Sequence, residues 1–245
     1  MTSEEIRDQV WQMGKQARAA AHALTRLSTD EKNSILIAMA EGIMAREAEI
    51  TAANEKDLDG ADELGLTEAM KDRLRLDHNR IKAMADGIRE VAELHDPTGE
   101  IIREWDRPNG IKLRKKRTPI GTIGIIYESR PNVTADAAVL CFKTGNATIL
   151  RGGKEAIHSN RAIADALQAG GAKAGLPDHS IQLIPFTDRE SVQHLCEMDT
   201  YLDLIIPRGG AGLIEAVVSM ARMPVIKHYD GICHVYVDKD ADLDM

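Results

Sequence analysis

An arginine, two glycines and a lysine, Arg151-Gly152-Gly153-Lys154, follow the apolar run Ala147-Thr148-Ile149-Leu150. Glycines allow close backbone approach, and cations at the end of a strand accept a phosphate on a dinucleotide's ribose. Glu155 comes next and is the residue type that would bind a ribose hydroxyl instead. The competing reading is an exposed turn whose charges meet only water. Pro207-Arg208-Gly209-Gly210-Ala211-Gly212 is a second stretch of this kind, set between an apolar run and a helical pattern. Free backbone N–H groups at a helix start bind anions. The stretch is neither GxGxxG nor a P-loop, and a plain tight turn would look the same.

Glu128-Ser129-Arg130-Pro131-Asn132 leaves the end of another apolar run. Arg130 suits a substrate carboxylate or phosphate. Ser129 or Asn132 could donate to a developing oxyanion, although Asn132 also fits a helix N-cap. Cys233-His234 suggests a nucleophile and base, but neighbours on a strand point to opposite faces. Cys233 would share a face with Val235 and Val237 and pack as a small hydrophobe. His228, Cys233 and His234 lack a fourth ligand at metal-site spacing, so no metal is expected. Cys141 and Cys196 read as packing residues in helices.

These residues need a scaffold. TIGIIYE, ATILRG, SIQLIP, LDLIIP, MPVIKH and CHVYVD read as strands, with helices at 134–143, 155–168, 188–198 and 212–220. Alternation of this kind predicts an α/β fold with a twisted, mostly parallel sheet covered on both faces. Thr187 with Glu190 forms a capping box, and Gly145 stops the helix ending at Lys143. Upstream, 1–94 is helical: Ile6, Val10, Met13 and Ala17 keep helical spacing, and Ser28 with Glu31 caps a helix. The acidic run 57–63 reads as a solvated connection. Two strand-like runs flank Arg107-Pro108-Asn109-Gly110 and predict a hairpin. Its second arm carries Lys112, Arg114, Lys115, Lys116 and Arg117 without interleaved aromatics. That favours a charge-protected exposed strand, or an oligomerisation arm, over a nucleic-acid patch.

The 245 residues are 43% hydrophobic and 29% charged, which is a globular composition. The net charge of -8 argues against general nucleic-acid binding. No apolar run approaches the ~18 residues of a membrane span, and the acidic N-terminus does not resemble a signal peptide. Three scattered cysteines suit a reduced, cytoplasmic protein.

Several of these stretches together carry a resemblance. Pro119-Ile-Gly-Thr-Ile-Gly124, Gly145-Asn146 and Ala174-Gly-Leu-Pro177 resemble motifs of the aldehyde dehydrogenase superfamily. YESRPNVT (127–134), LRGGKEA, IPRGGAGLI and KHYDGICHVYVD narrow it to the gamma-glutamyl phosphate reductase, or glutamate-5-semialdehyde dehydrogenase, family. The resemblance implies NADPH-dependent reduction of L-glutamyl 5-phosphate to the semialdehyde, with phosphate release, in proline biosynthesis. It implies a Rossmann-like NADP-binding core at 119–245, an oligomerisation hairpin at 99–118 and a helical part of the same domain at 1–98. Cofactor contacts would fall to Arg151, Gly152, Gly153, Lys154, Arg208, Gly209, Gly210 and Gly212, and substrate contacts to Arg130 and Asn132. Ser129 falls where many relatives carry an oxyanion-binding Asn, and His228 near a general-base Glu. The family's nucleophilic cysteine belongs to a later motif, so the catalytic domain is expected beyond Met245 and the span alone is expected to be inactive. The hairpin implies homo-oligomers in the complete protein. Two other readings stay open: a non-catalytic nucleotide-binding module, or another acyl-phosphate or acylating aldehyde dehydrogenase.

Overall fold

The structure is a computed structural model and describes residues 1–128, 130–227 and 233–242. Its N-terminal half is helical: α1 (Ser3–Leu24), α2 (Thr29–Ala45), α3 (Glu47–Asp59), α4 (Glu68–Leu74) and α5 (His78–Glu93). The first two helices begin in reciprocal capping boxes, Thr2 with Glu5 and Ser28 with Glu31, which satisfy otherwise orphaned N–H groups. Only the second was expected.

β1 (Ile101–Asp106) and β2 (Lys112–Lys116) then pair antiparallel around a turn in which Gly110 N–H donates to the Arg107 carbonyl at 2.9 Å. Gly110 takes a φ of +82°, open to glycine at little cost. The ribbon is exposed along almost its whole length and leaves Ile101, Ile102 and Ile111 in solvent.

The rest alternates as expected through β3 (Thr122–Tyr127), α6 (Asn132–Lys143), β4 (Ala147–Arg151), a 3₁₀ turn (Lys154–Ala156) and α7 (Ile157–Ala172). It continues through β5 (Ile181–Leu183), α8 (Glu190–Cys196), β6 (Leu204–Arg208) and α9 (Ala211–Met220). Among the described residues these strands form one parallel sheet in the order β5-β4-β3-β6. Every residue of β3 is buried, which is why its sequence is a continuous apolar run rather than an alternating one. α6 and α7 pack together and contact the sheet, with α2 wedged between α5 and α7; α1 also meets the sheet and packs on α8. Gly42 and Gly170 let α2 and α7 nearly touch: a Cβ on Gly42 would lie 2.6 Å from the Ala166 carbonyl oxygen.

Four expectations need correction. Among the described residues MPVIKH and CHVYVD form no sheet strand: Val225 makes an isolated parallel bridge to Ile205, and Cys233 to Asp238 are exposed with no ladder partner there. Cys233 is therefore not a packed hydrophobe. The Thr187–Glu190 capping box does not form, because α8 starts after Arg189 without a side-chain cap. Asp57 is not solvated. It is buried and accepts from the N–H groups of His158 (3.1 Å) and Ser159 (2.7 Å), capping α7 from α3.

Candidate functional site

Strand order explains where a ligand would sit. The chain steps outward from β3 to β4 to β5, then returns to the other flank of β3 to build β6. Neighbouring loops therefore diverge at the carboxyl ends of β3 and β6, the topological switch point of an open α/β sheet. A crevice of ≈ 370 Å³ opens there, lined by Tyr127, Glu128, Arg130, Arg208, Gly209 and Gly210, together with Met70, Arg73 and Val133. A second, of ≈ 400 Å³, shares Arg73 and Arg130 with the first and extends toward α5 and α6. Both fall in the size range of ligand sites.

The floor of the first crevice is a buried hydrogen-bonded chain. The Tyr127 hydroxyl lies 2.6 Å from Thr134 Oγ1, which donates to Asn160 Oδ1 at 3.0 Å. All three side chains are buried, joining β3, α6 and α7, and burial pushes the Tyr127 phenol well above its usual pKa.

The β6 turn is open. Arg208, Gly209 and Gly210 are exposed, and Gly210 is the N-cap of α9. The Gly210 N–H donates to Glu128 Oε2 at 3.0 Å, and the Glu128 N–H to the Arg208 carbonyl at 3.3 Å. A carboxylate thus rests on the helix start, where N–H groups and the helix dipole favour negative charge. A side chain on Gly209 would collide with that carboxylate, whereas Gly210 and Gly212 face open space.

The β4 turn is closed. Arg151 Nη1 donates to the Gly152 carbonyl at 3.0 Å and Nη2 to the Thr187 carbonyl at 2.9 Å. Burial lowers the Arg151 pKa, partly offset by Glu155. A Cβ on Gly152 would strike Asn160 Nδ2, and one on Gly153 the Glu155 carboxylate. Lys154, by contrast, is exposed at the start of the 3₁₀ turn.

Asn132 lies within the first turn of α6 rather than capping it: Pro131 is the N-cap, and the Asn132 amide donates to Asp136 Oδ2 at 3.0 Å. Arg130 is exposed and lines both crevices. Ser129 and His228 lie outside the described residues. Cys141 and Cys196 are buried, and burial pushes each thiol up to about 12. No group of three or more metal-ligating side chains occurs among the described residues. Nor is any helix among them long and apolar enough to cross a membrane. Glu128, Arg73 and Asp136 are crevice residues that the sequence reading passed over. Asp136 had a usable signal, four residues beyond Asn132 on the same helix face.

The aldehyde dehydrogenase family model matches residues 2–245. The chain belongs to that family. It is similar to the gamma-glutamyl phosphate reductase of Allorhizobium ampelinum, with 54% identity over 234 residues, 95% of this chain and 55% of the relative. The Geobacter metallireducens reductase of the same name is 52% identical over 240 residues, 98% of this chain and 57% of the relative. A crystal structure of gamma-glutamyl phosphate reductase from Thermotoga maritima superposes with a TM-score of 0.89 at 41% identity, covering 96% of this chain and 57% of that one. The chain thus spans just over half the length of these relatives. The aldehyde dehydrogenase fold accounts for the parallel sheet and the N-terminal helices.

Proposed function

We propose that this chain forms the cofactor-facing part of a cytoplasmic reductase. The reaction takes L-glutamyl 5-phosphate, NADPH and a proton to L-glutamate 5-semialdehyde, NADP and phosphate, a step in proline biosynthesis. The observation that carries the reading is the glycine turn and helix start at the β3/β6 switch point, in a chain more than half identical to reductases of that name.

The residues fit a dinucleotide. The Gly210 N–H already holds an anion, the Glu128 carboxylate, and Lys154 stands exposed at the neighbouring strand end. NADPH, when bound, supplies the hydride. Lys154 reads its 2′-phosphate, the extra charge that distinguishes it from NADH. The N–H groups of Gly209 and Gly210 serve the diphosphate once Glu128 yields its place. Arg151 fixes the β4 turn through Thr187 and leaves phosphate recognition to Lys154. Arg130 and Arg73 hold the anionic substrate. Neither buried cysteine is a usable nucleophile, since a thiol near pKa 12 carries almost no thiolate at neutral pH. Cys233 is exposed and lines neither crevice, so the reading gives the nucleophile to the later motif that the family resemblance implies, and the hairpin β1–β2 to pairing with another subunit.

The test is phosphate-dependent reduction of NADP by the full-length protein with L-glutamate 5-semialdehyde. Activity is expected there and not in the isolated 245-residue chain. A full-length protein that oxidises the semialdehyde without phosphate would overturn the reading.

A further inference from the structure

The larger crevice holds charges that do not neutralise one another. Arg80 is already engaged: its guanidinium binds the Asp72 carboxylate at 3.0 Å, the Arg75 carbonyl at 2.9 Å and the Asp72 carbonyl. Arg73, Arg75 and Arg130 line the same space, and their guanidinium groups have no hydrogen-bond or ion-pair partner among the described residues. On the α6 side stands Asp136, whose described partner is the neutral amide of Asn132. Cations and a carboxyl group that share a crevice without pairing are what a ligand carrying both signs would need.

The arginine segment is also built rather than loose. Asn54, buried in α3, donates to the Leu74 carbonyl at 2.8 Å and accepts from the Leu76 N–H at 2.7 Å. It donates as well to Ser159 Oγ at 3.0 Å. Arg73 and Arg75 therefore leave a backbone clamped from both sides. Asp136 sits on helix α6 with its side chain exposed to the crevice, and partial desolvation there raises its carboxyl pKa despite the Asn132 bond. A bound cation would supply the missing counter-charge.

We propose that this crevice binds the amino-acid end of the substrate, with Asp136 taking the α-ammonium and Arg130 and Arg73 taking the α-carboxylate. The inference rests on the reductase reading and names the subsite that makes it selective. Arg130 and Arg73 line both crevices, so an amino-acid head held here leaves its reacting end directed toward the strand tips, where the cofactor site lies. Pairing of this kind discriminates sharply, because a substrate lacking one charged group leaves a protein charge unpaired.

The experiment compares three aldehydes in phosphate-dependent oxidation by the full-length enzyme: L-glutamate 5-semialdehyde, 5-oxopentanoate, which lacks the ammonium, and 4-aminobutanal, which lacks the carboxylate. In Asp136→Asn, the preference in kcat/KM for the semialdehyde over 5-oxopentanoate should fall about tenfold or more. In Arg130→Gln, the preference for the semialdehyde over 4-aminobutanal should fall about 10- to 100-fold. Each ratio is taken within one variant, so partial misfolding cancels. Equal losses on all three aldehydes in an active enzyme would overturn the subsite and leave the reductase reading standing. A wild-type enzyme that oxidises none of the three would overturn both.

Discussion

β4 and β6 end in the same tripeptide, Arg-Gly-Gly, at Arg151–Gly153 and Arg208–Gly210, on the same edge of one sheet. In sequence the two invite one interpretation, a phosphate cradle. In the fold they diverge. The β4 turn is packed: Arg151 bonds to carbonyls, Gly152 is pressed by Asn160, and Gly153 is crowded by Glu155. The β6 turn is open, and its N–H at Gly210 holds the carboxylate of Glu128. The difference comes from Thr187, Asn160 and Glu128, none of them part of either tripeptide. Glycine thus serves two ends: at Gly152, Gly153 and Gly209 it removes a collision, and at Gly210 it leaves open space at a helix start.

The strongest way to break this contrast is Gly152→Ala. Its Cβ would displace Asn160 and approach the Tyr127 ring at 3.2 Å, disturbing the buried Tyr127–Thr134–Asn160 chain. Overpacking together with one disrupted buried hydrogen bond costs about 3–4 kcal/mol. Urea unfolding of the variant should show that loss as a lower midpoint with an unchanged slope. A midpoint equal to that of the parent would mean the β4 turn is as loose as the β6 turn.

Next in size is the cofactor. If Arg151 is structural, Lys154 alone at this turn reads the 2′-phosphate. Lys154→Glu should then weaken NADPH by about 10- to 100-fold, the worth of one or two charge-assisted bonds, with little change for NADH. Fluorescence titration of the full-length protein with both cofactors checks it. Equal losses for the two would return the role to Arg151 or to another group.

The same contrast shows what could be read from residues and what could not. Local signals transferred: the Ser28–Glu31 box, the Arg107–Gly110 turn and Gly145, which stops α6 with a φ of +75°. The buried parallel strands were legible because β3 and β4 are apolar on both faces. Signals failed where a distant partner intervened. Thr187 and Glu190 have capping-box spacing, but the Thr187 carbonyl is held by Arg151, and α8 begins at Glu190 itself. Asp57 sat in an acidic run, yet α7 needed an acceptor at its first turn and burial followed. Residues 233–238 have strand composition, but a strand also needs a ladder partner, and Val235 stays 89% exposed. That Arg130 lines the crevices could be read from its place after β3; the position of Glu128 could not, because it depends on the Gly210 N–H from across the sheet edge.

A smaller effect should separate the two turns through Glu128. Glu128→Ala removes a negative charge from the start of α9 and frees the Gly210 N–H. Inorganic pyrophosphate should then bind about 2- to 5-fold more tightly, matching the ~0.3–1 kcal/mol of a charge near a helix end. Calorimetric titration checks it, and raising the salt should shrink the gain by screening. A weaker affinity would mean that Glu128 organises the turn for phosphate instead of occupying its place.

The smallest effect is expected from Gly210→Ala, the counterpart of the β4 substitution. A Cβ there meets no atom within 4 Å, and the residue's φ of -66° suits alanine. Two opposing effects remain. Alanine is a poorer N-cap than glycine, which costs a few tenths of a kcal/mol to about 1 kcal/mol. It also restricts the unfolded chain, which stabilises by roughly 0.4–1 kcal/mol. The net change in unfolding free energy should stay within about 0.5 kcal/mol. The added methyl would nonetheless stand in the space a diphosphate must enter, so cofactor affinity should fall while stability holds. Loss of stability comparable to Gly152→Ala would erase the distinction between a glycine kept for packing and one kept for a ligand.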